Sequence, residues 1–204
     1  MAGLRVDHAV VSGTFSLDGE THEVDNNVWV IGDDSECVVI DAPHDVDAIL
    51  DVVGDRTVKA ILCTHAHDDH VRAAPALRAV VRAPILLHPD DRPLWELTHT
   101  DELWDVDLAD GQEIGVAGTT LTVLHTPGHA PGAVSVYAAE LGCVFTGDTL
   151  FRGGPGATGR SFSDRPTIEA SIRAALFSLP DETVVHTGHG EDTGIGVEKE
   201  NLDG

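Results

Sequence analysis

The chain has 204 residues, 42% of them hydrophobic, which is enough for one sizeable buried core and short for two full domains. Thirty-five acidic against twelve basic residues leave a formal charge of −23, which repels nucleic acid and anionic membrane surfaces and argues against nuclease or RNA-processing functions. The N-terminal MAGLRVDHAV lacks the basic start and apolar run of a secretory signal, and no segment approaches about 20 uninterrupted apolar residues, so one soluble, cytoplasmic domain over residues 1–204 is expected.

The Val-, Ile- and Trp-rich stretches NNVWVIGD and ECVVIDAP, set between turn residues, predict two paired strands near the N-terminus. HDVDAILDVVG follows, with Val46, Ile49, Leu50 and Val53 at helical spacing and Gly54 closing the helix. VKAILCT predicts a short buried strand. Beyond it Val71, Ala74, Leu77 and Val81 recur at helical spacing, so LCTHAHDDHVRAAP lies on a strand-to-helix junction. APILLHP predicts another strand and DDRPLWELT a short helix with Pro93 near its first turn, while the acidic ELWDVDLADGQE reads as a solvated face. TTLTVLHT, AVSVYAA and GCVFTGD predict three strands separated by turns. RPTIEASIRAALFSLP is a helix with Ile168, Ile172, Ala175, Leu176 and Leu179 on one face, and TVVHTGHG is a last strand. Cys37, Cys63 and Cys143, odd in number and each inside an apolar run, are expected to be buried free thiols. The order of elements fits two similar halves, each a sheet with helices on its outer face.

Ligand-type side chains concentrate at the predicted strand ends. In HAHDDH, His65 and His67 stand two apart and project from the same side toward one ion, whereas Asp69 and His70 lie past the turn and need not share it. HTPGHAPG brings His129, FTGDTLF brings Asp148 and HTGHGED brings His189. Each stands next to a glycine, which lets the backbone turn sharply and leaves space beside the side chain. Five histidines and two aspartates supply about three protein ligands to each of two ions, plus a bridging group.

HAHDDH has the form HxHxDH. With the later GH, GD and GHG motifs in order, the chain from about Asn26 to about Gly190 resembles the metallo-β-lactamase superfamily, and in particular its glyoxalase II-like hydrolases. The resemblance implies an α+β fold, a four-layer αββα sandwich with the metals at one edge of its two sheets. It implies one metal on His65, His67 and His129, a second on Asp69, His70 and His189, and Asp148 as the bridge, with Asp69 and Asp148 positioning the hydroxide. Two divalent ions are expected, zinc before iron or manganese. Such a pair lowers the pKa of a shared water and stabilises the oxyanion that forms when a carbonyl carbon is attacked. A thioester suits this chemistry, because a thiolate leaves without a strong general acid. A bridging Asp148 argues against the lactamases that carry a cysteine ligand, which lack it.

Glyoxalase II continues into a helical domain that grips glutathione, whereas fifteen residues follow His189 here. The expected substrate is therefore a small thioester or ester, such as an acyl conjugate of a low-molecular-weight thiol, rather than S-lactoylglutathione itself. Arg72, Ala73 and Ala74 stand where a glycine pair often follows the DH. Persulfide dioxygenases, which resemble the same scaffold and bind one iron through positions matching His65, His129 and Asp148, form the alternative. A metal-binding protein without catalysis is a weaker third reading, because so many polar groups need a metal to satisfy them.

Around the ligands, His44 follows a strand end and is a candidate for the pocket or for support behind it. The glycine-rich RGGPGATGRSFSD lacks the Lys-Ser/Thr ending of a P-loop and is expected to line the cleft, with Arg160 either anchoring a substrate carboxylate or a ligand aspartate or serving a purely structural role. Asp68 is expected to face solvent or hold the loop. His125 and His186 are expected to pack or to orient ligands from behind, and His8, His22, His88 and His99 to be ordinary surface or core residues.

Overall fold

A computed structural model describes residues 3–203. Its first sheet runs in chain order through β1 (Arg5–Leu17), β2 (Glu20–Gly32), β3 (Glu36–Ile40), β4 (Thr57–Leu62), β5 (Ile85–Leu87) and β6 (Val106–Asp107). Helices α1 (Val46–Val53), α2 (Asp68–Val71), α3 (Ala74–Val81) and α4 (Arg92–Thr98) occupy the connections. The first three strands pair antiparallel, and β3 to β6 pair parallel. The second half supplies β7 (Glu113–Val116), β8 (Thr119–His125), β9 (Val134–Ala138) and β10 (Cys143–Gly147). A small ribbon of β11 (Leu150–Phe151) and β12 (Gly154–Pro155) follows, then α5 (Arg165–Ala174), β13 (Val184–Thr187), β14 (Thr193–Gly194) and α6 (Ile195–Asp203). The second sheet has the order β14-β13-β10-β9-β8-β7.

Alternation along the strands produces the layers. In β2, Val28 and Val30 face the helices and share a core with Ile49, Val53, Leu77, Leu94 and Trp95. Trp29 and Ile31 point the other way and pack with Ile40 and Leu62 against Leu121, Val123, Val136 and Phe145 of the second sheet. β10 repeats the device: Cys143 and Phe145 face inward, and Val144 faces outward beneath Ile168, Ile172, Leu176 and Ile195. Three apolar interfaces thus stack helices, sheet, sheet and helices, the αββα arrangement expected from the sequence. The three cysteines are buried and free, as expected. No helix among the described residues is long and apolar enough to cross a membrane.

Three local expectations need correction. The first strand of the chain, β1, is not marked in the sequence, because its side chains are largely exposed or half-buried. It pairs with β2 from Arg5 against Gly32 to Leu17 against Glu20, so β2 is also far longer than NNVWVIGD. The helix expected after HAHDDH is two helices broken at Arg72 and Ala73, with Pro75, which has no N–H to donate, in the first turn of α3. ELWDVDLADGQE is not simply a solvated face: Trp104 and Leu108 are buried, on either side of the edge strand β6.

The charge of −23 sets up repulsion across the folded surface. Raising salt toward about 1 M shortens the Debye length to about 3 Å. The melting temperature is expected to climb by roughly 5 °C between dilute buffer and molar potassium chloride, since about 1 kcal/mol moves a chain of this size by roughly 2–4 °C. Differential scanning calorimetry across a salt series checks this.

Candidate metal centre

The ends of β4, β8, β10 and β13 lie along one edge of the sandwich, and the residues just beyond them carry every ligand candidate. His65 and His67 follow β4, and Asp69 and His70 lie on α2. His129 follows β8, Asp148 follows β10 and His189 follows β13.

Two donor groups form there. His67 Nδ1 lies 3.0 Å from His65 Nε2 and 3.0 Å from His129 Nε2. Nitrogens around a tetrahedral zinc ion stand about 3.3 Å apart, so this triangle fits one ion with little adjustment. In the second group His70 Nε2 is 3.3 Å from His189 Nε2, which is 3.3 Å from Asp69 Oδ2. Asp148 lies between them: its Oδ2 is 3.5 Å from both His129 Nε2 and His189 Nε2, and its Oδ1 is 3.4 Å from His70 Nε2. Asp148 Oδ1 and His67 Nε2 are buried without a hydrogen-bond partner, and an orphaned carboxylate oxygen at this position fits a cation.

Four of the five histidines are aimed from behind. His70 Nδ1 donates to Asp41 at 2.8 Å, His129 Nδ1 to Ala157 O at 2.8 Å and His189 Nδ1 to Asp25 O at 2.7 Å. His65 Nδ1 meets Thr64 Oγ1 at 3.1 Å. Each Nε2 is thereby left facing the centre. Asp41, held at a φ of 62°, also accepts from Thr64 N and Thr64 Oγ1 at 2.7 and 2.9 Å. Asn26 Nδ2 donates to Asp69 Oδ2 at 3.0 Å. Gly188 beside His189 is obligatory, because a Cβ there would stand 2.3 Å from Asp148 Oδ1 and 2.9 Å from His70 Cε1.

The electrostatics suit divalent cations. Burial drives the His65 imidazole well below its usual range and His67 down to about 3, so both present neutral nitrogens. Burial opposes the charged forms of His189 and His70 as well. The adjacent carboxylates outweigh it, Asp148 chiefly at His189 and Asp69 with Asp148 at His70, holding His189 up at about 10 and His70 well above its usual range. Conversely, His70 and the hydrogen bonds from His189 and Asn26 overcome burial and keep Asp69 at about 2. The aspartates recruit positive charge into a buried site, and a metal cation supplies it while displacing protons.

The centre opens into a cleft of about 450 Å³ whose walls include Phe15, Val24, Ala157 and Arg160. Arg160 donates to Glu20 at 3.0 Å and to His22 Nε2 at 3.0 Å, with its guanidinium 5.5 Å from the Phe15 ring. The expected loop does line the cleft, but Arg160 pairs with the β1–β2 hairpin instead of a ligand aspartate. His22, expected to be ordinary, also lines the cleft. His44 stands behind the site, with Nε2 on Asn26 Oδ1 at 2.9 Å. Asp68 holds the loop: it accepts from Ser16 N at 3.0 Å and pairs with Arg72, which donates to Thr14 O at 2.9 Å. His125 stacks on His88 with ring centroids 4.1 Å apart and has its Nε2 3.0 Å from Pro131 O in the loop that carries His129, while His186 packs on Trp29 at 4.3 Å. Asp41, Asn26 and Asp91 are functional neighbours that no sequence pattern singles out.

The sequence profile of the metallo-beta-lactamase superfamily matches residues 23–189. Hydroxyacylglutathione hydrolase GloC of Haemophilus influenzae is 31% identical, over 84% of this chain and 87% of its own length. Among solved structures, the BLEG-1 B3 metallo-beta-lactamase superposes with a TM-score of 0.79 at 30% identity, covering 93% of this chain and 97% of that one. TTHA1623 in a di-iron-bound form gives a TM-score of 0.78 at 34% identity, covering 87% of this chain and 94% of its own.

Proposed function

The chain belongs to the metallo-β-lactamase superfamily, and from that premise we propose that it is a cytoplasmic, dinuclear metal-dependent hydrolase that cleaves a thioester of a small thiol. His65, His67 and His129 would hold one ion and Asp69, His70 and His189 the other, with Asp148 standing between the two groups. The observation that carries this reading is Asp148 Oδ2, 3.5 Å from a nitrogen of each donor group, on a carboxylate whose other oxygen lacks a hydrogen-bond partner.

Two divalent ions held there, zinc first, supply hydroxide near neutral pH and positive charge for a developing oxyanion. The chain's own residues do the rest. Asp41, Thr64 and the carbonyls of Ala157 and Asp25 fix the imidazoles, and Phe15, Val24 and Ala157 wall the cleft against water. The acidic residues lining it are Asp25, Asp69 and Asp148. Asp25 accepts from Ser12 Oγ at 2.6 Å and the other two are ligands, so a leaving group that departs as a thiolate suits the site.

Arg160 at the mouth anchors a carboxylate on the far part of the substrate. Its pair with exposed Glu20 is weak enough to exchange. Arg160→Gln is expected to raise KM for carboxylate-bearing thioesters roughly tenfold with little change in kcat, read from initial rates. The near full-length match to GloC brings acyl-glutathiones into the substrate panel despite the short segment after His189.

Metal content of protein purified without added metal, paired with thiol release from an acyl-thiol panel, tests the proposal. About two metals per chain with thiol release supports it. One iron per chain with oxygen uptake on a persulfide overturns it in favour of a dioxygenase. Turnover of β-lactams in preference to thioesters overturns the substrate class.

A further inference from the structure

The two segments that bring the three-histidine group together come from different sheets. Residues 64–67 follow β4 of the first sheet, and residues 126–133 follow β8 of the second. A third segment joins them. Asp91 closes the short turn Pro89–Asp91 between β5 and α4, and its side chain is fully buried. Its Oδ2 accepts from Ala66 N at 2.8 Å, and its Oδ1 accepts from Gly132 N at 2.5 Å. Ala66 lies between His65 and His67, and Gly132 lies three residues past His129. One planar carboxylate therefore spans both ligand loops, with an oxygen for each.

The packing leaves no freedom in this contact. A Cβ on Gly132 would lie 2.7 Å from Asp91 N and 2.9 Å from Asp91 Cγ. Burial pushes the Asp91 carboxyl up to about 7, against the pull of the two backbone N–H groups, so a buried acid is kept here at a cost in desolvation. The proposed chemistry does not use it as an acid, and it does not line the cleft. The braces of the other donor group, Asp41 on His70, Asn26 on Asp69 and Asp25 O on His189, make no hydrogen bond to Asp91, although Asp41 also reaches His65 through Thr64.

We propose that Asp91 is a positioning residue that sets the spacing of His65 and His67 against His129, and so governs metal affinity at the three-histidine site and not at its neighbour. The proposal rests on the metal assignment made above. In Asp91→Asn one oxygen keeps its N–H partner, while the amide NH2 faces the other N–H, donor against donor. The loops then separate at that point. Gly132→Ala keeps the carboxylate but forces it away from the loop, and it serves as the second variant.

The test is calorimetric titration of metal-free, full-length protein with zinc. The two binding events are assigned by which one disappears in His129→Ala and which in His189→Ala. Asp91→Asn and Gly132→Ala are each expected to weaken the three-histidine event about 10- to 100-fold and to leave the other within about twofold. Equal weakening of both events, in step with a lowered melting temperature, would reduce Asp91 to a general structural role and overturn the proposal. So would two unshifted events in both variants. If the unmodified protein shows no three-histidine event, the metal assignment itself fails and the proposal falls with it.

Discussion

Asp148→Ala is expected to lower kcat/KM for thioester cleavage by at least about 10³-fold, the scale of losing a group that organises the charge of the transition state. Asp148 Oδ2 lies 3.5 Å from a nitrogen of each donor group, so the substitution takes away the carboxylate placed between them. It also removes one of the anions that favour the charged forms of His70 and His189, which lowers affinity for a cation between them. Stopped-assay kinetics on variant protein reloaded with metal, with metal content measured on the same sample, checks the loss. Full activity in that variant would remove Asp148 from the centre.

The second large effect is expected at Asp41. This carboxylate is 2% exposed and takes three hydrogen bonds, from Thr64 N, Thr64 Oγ1 and His70 Nδ1. Asp41→Ala strands all three donors in a buried place, where removing one member of a charged, hydrogen-bonded pair costs about 3–5 kcal/mol. For a chain of this size that corresponds to a fall of roughly 10 °C in melting temperature. His70 also loses its aim, and metal affinity at the Asp69–His70–His189 group is expected to fall by about 10- to 100-fold. Thermal melts and metal titration read the two consequences separately. A variant as stable as the parent would show that water replaces the carboxylate without loss.

The ligand candidates were legible in the sequence for a physical reason. Each is a metal-binding side chain placed where an apolar run stops, and the run and its stop are both local features. His65, His67, His129, Asp148 and His189 share that form, and the structure brings them together. The four layers were implied by the resemblance to the superfamily, and the structure supplies their physical basis, since Val28, Trp29, Val30 and Ile31 alternate between two cores.

What escaped notice is what depends on distant partners. Asp91 and Asp41 bond mainly to backbone N–H groups or to side chains many residues away, and no local spacing marks a buried carboxylate of that kind. The hairpin of β1 and β2 escaped because its far half is exposed and polar, with too little alternation to announce strands. His22 and the true partners of Arg160 lie on or beside that half, so the rim of the cleft was hidden along with it.

Whether two metal ions beside Asp148 hydrolyse a thioester is decided by adding zinc stepwise to metal-free protein, without oxygen, while following thiol release from an acyl-thiol substrate. The expected result is a rate that stays low through the first equivalent and rises to its plateau as the second binds. A plateau reached at one equivalent, or no thiol release with two equivalents bound, would contradict it.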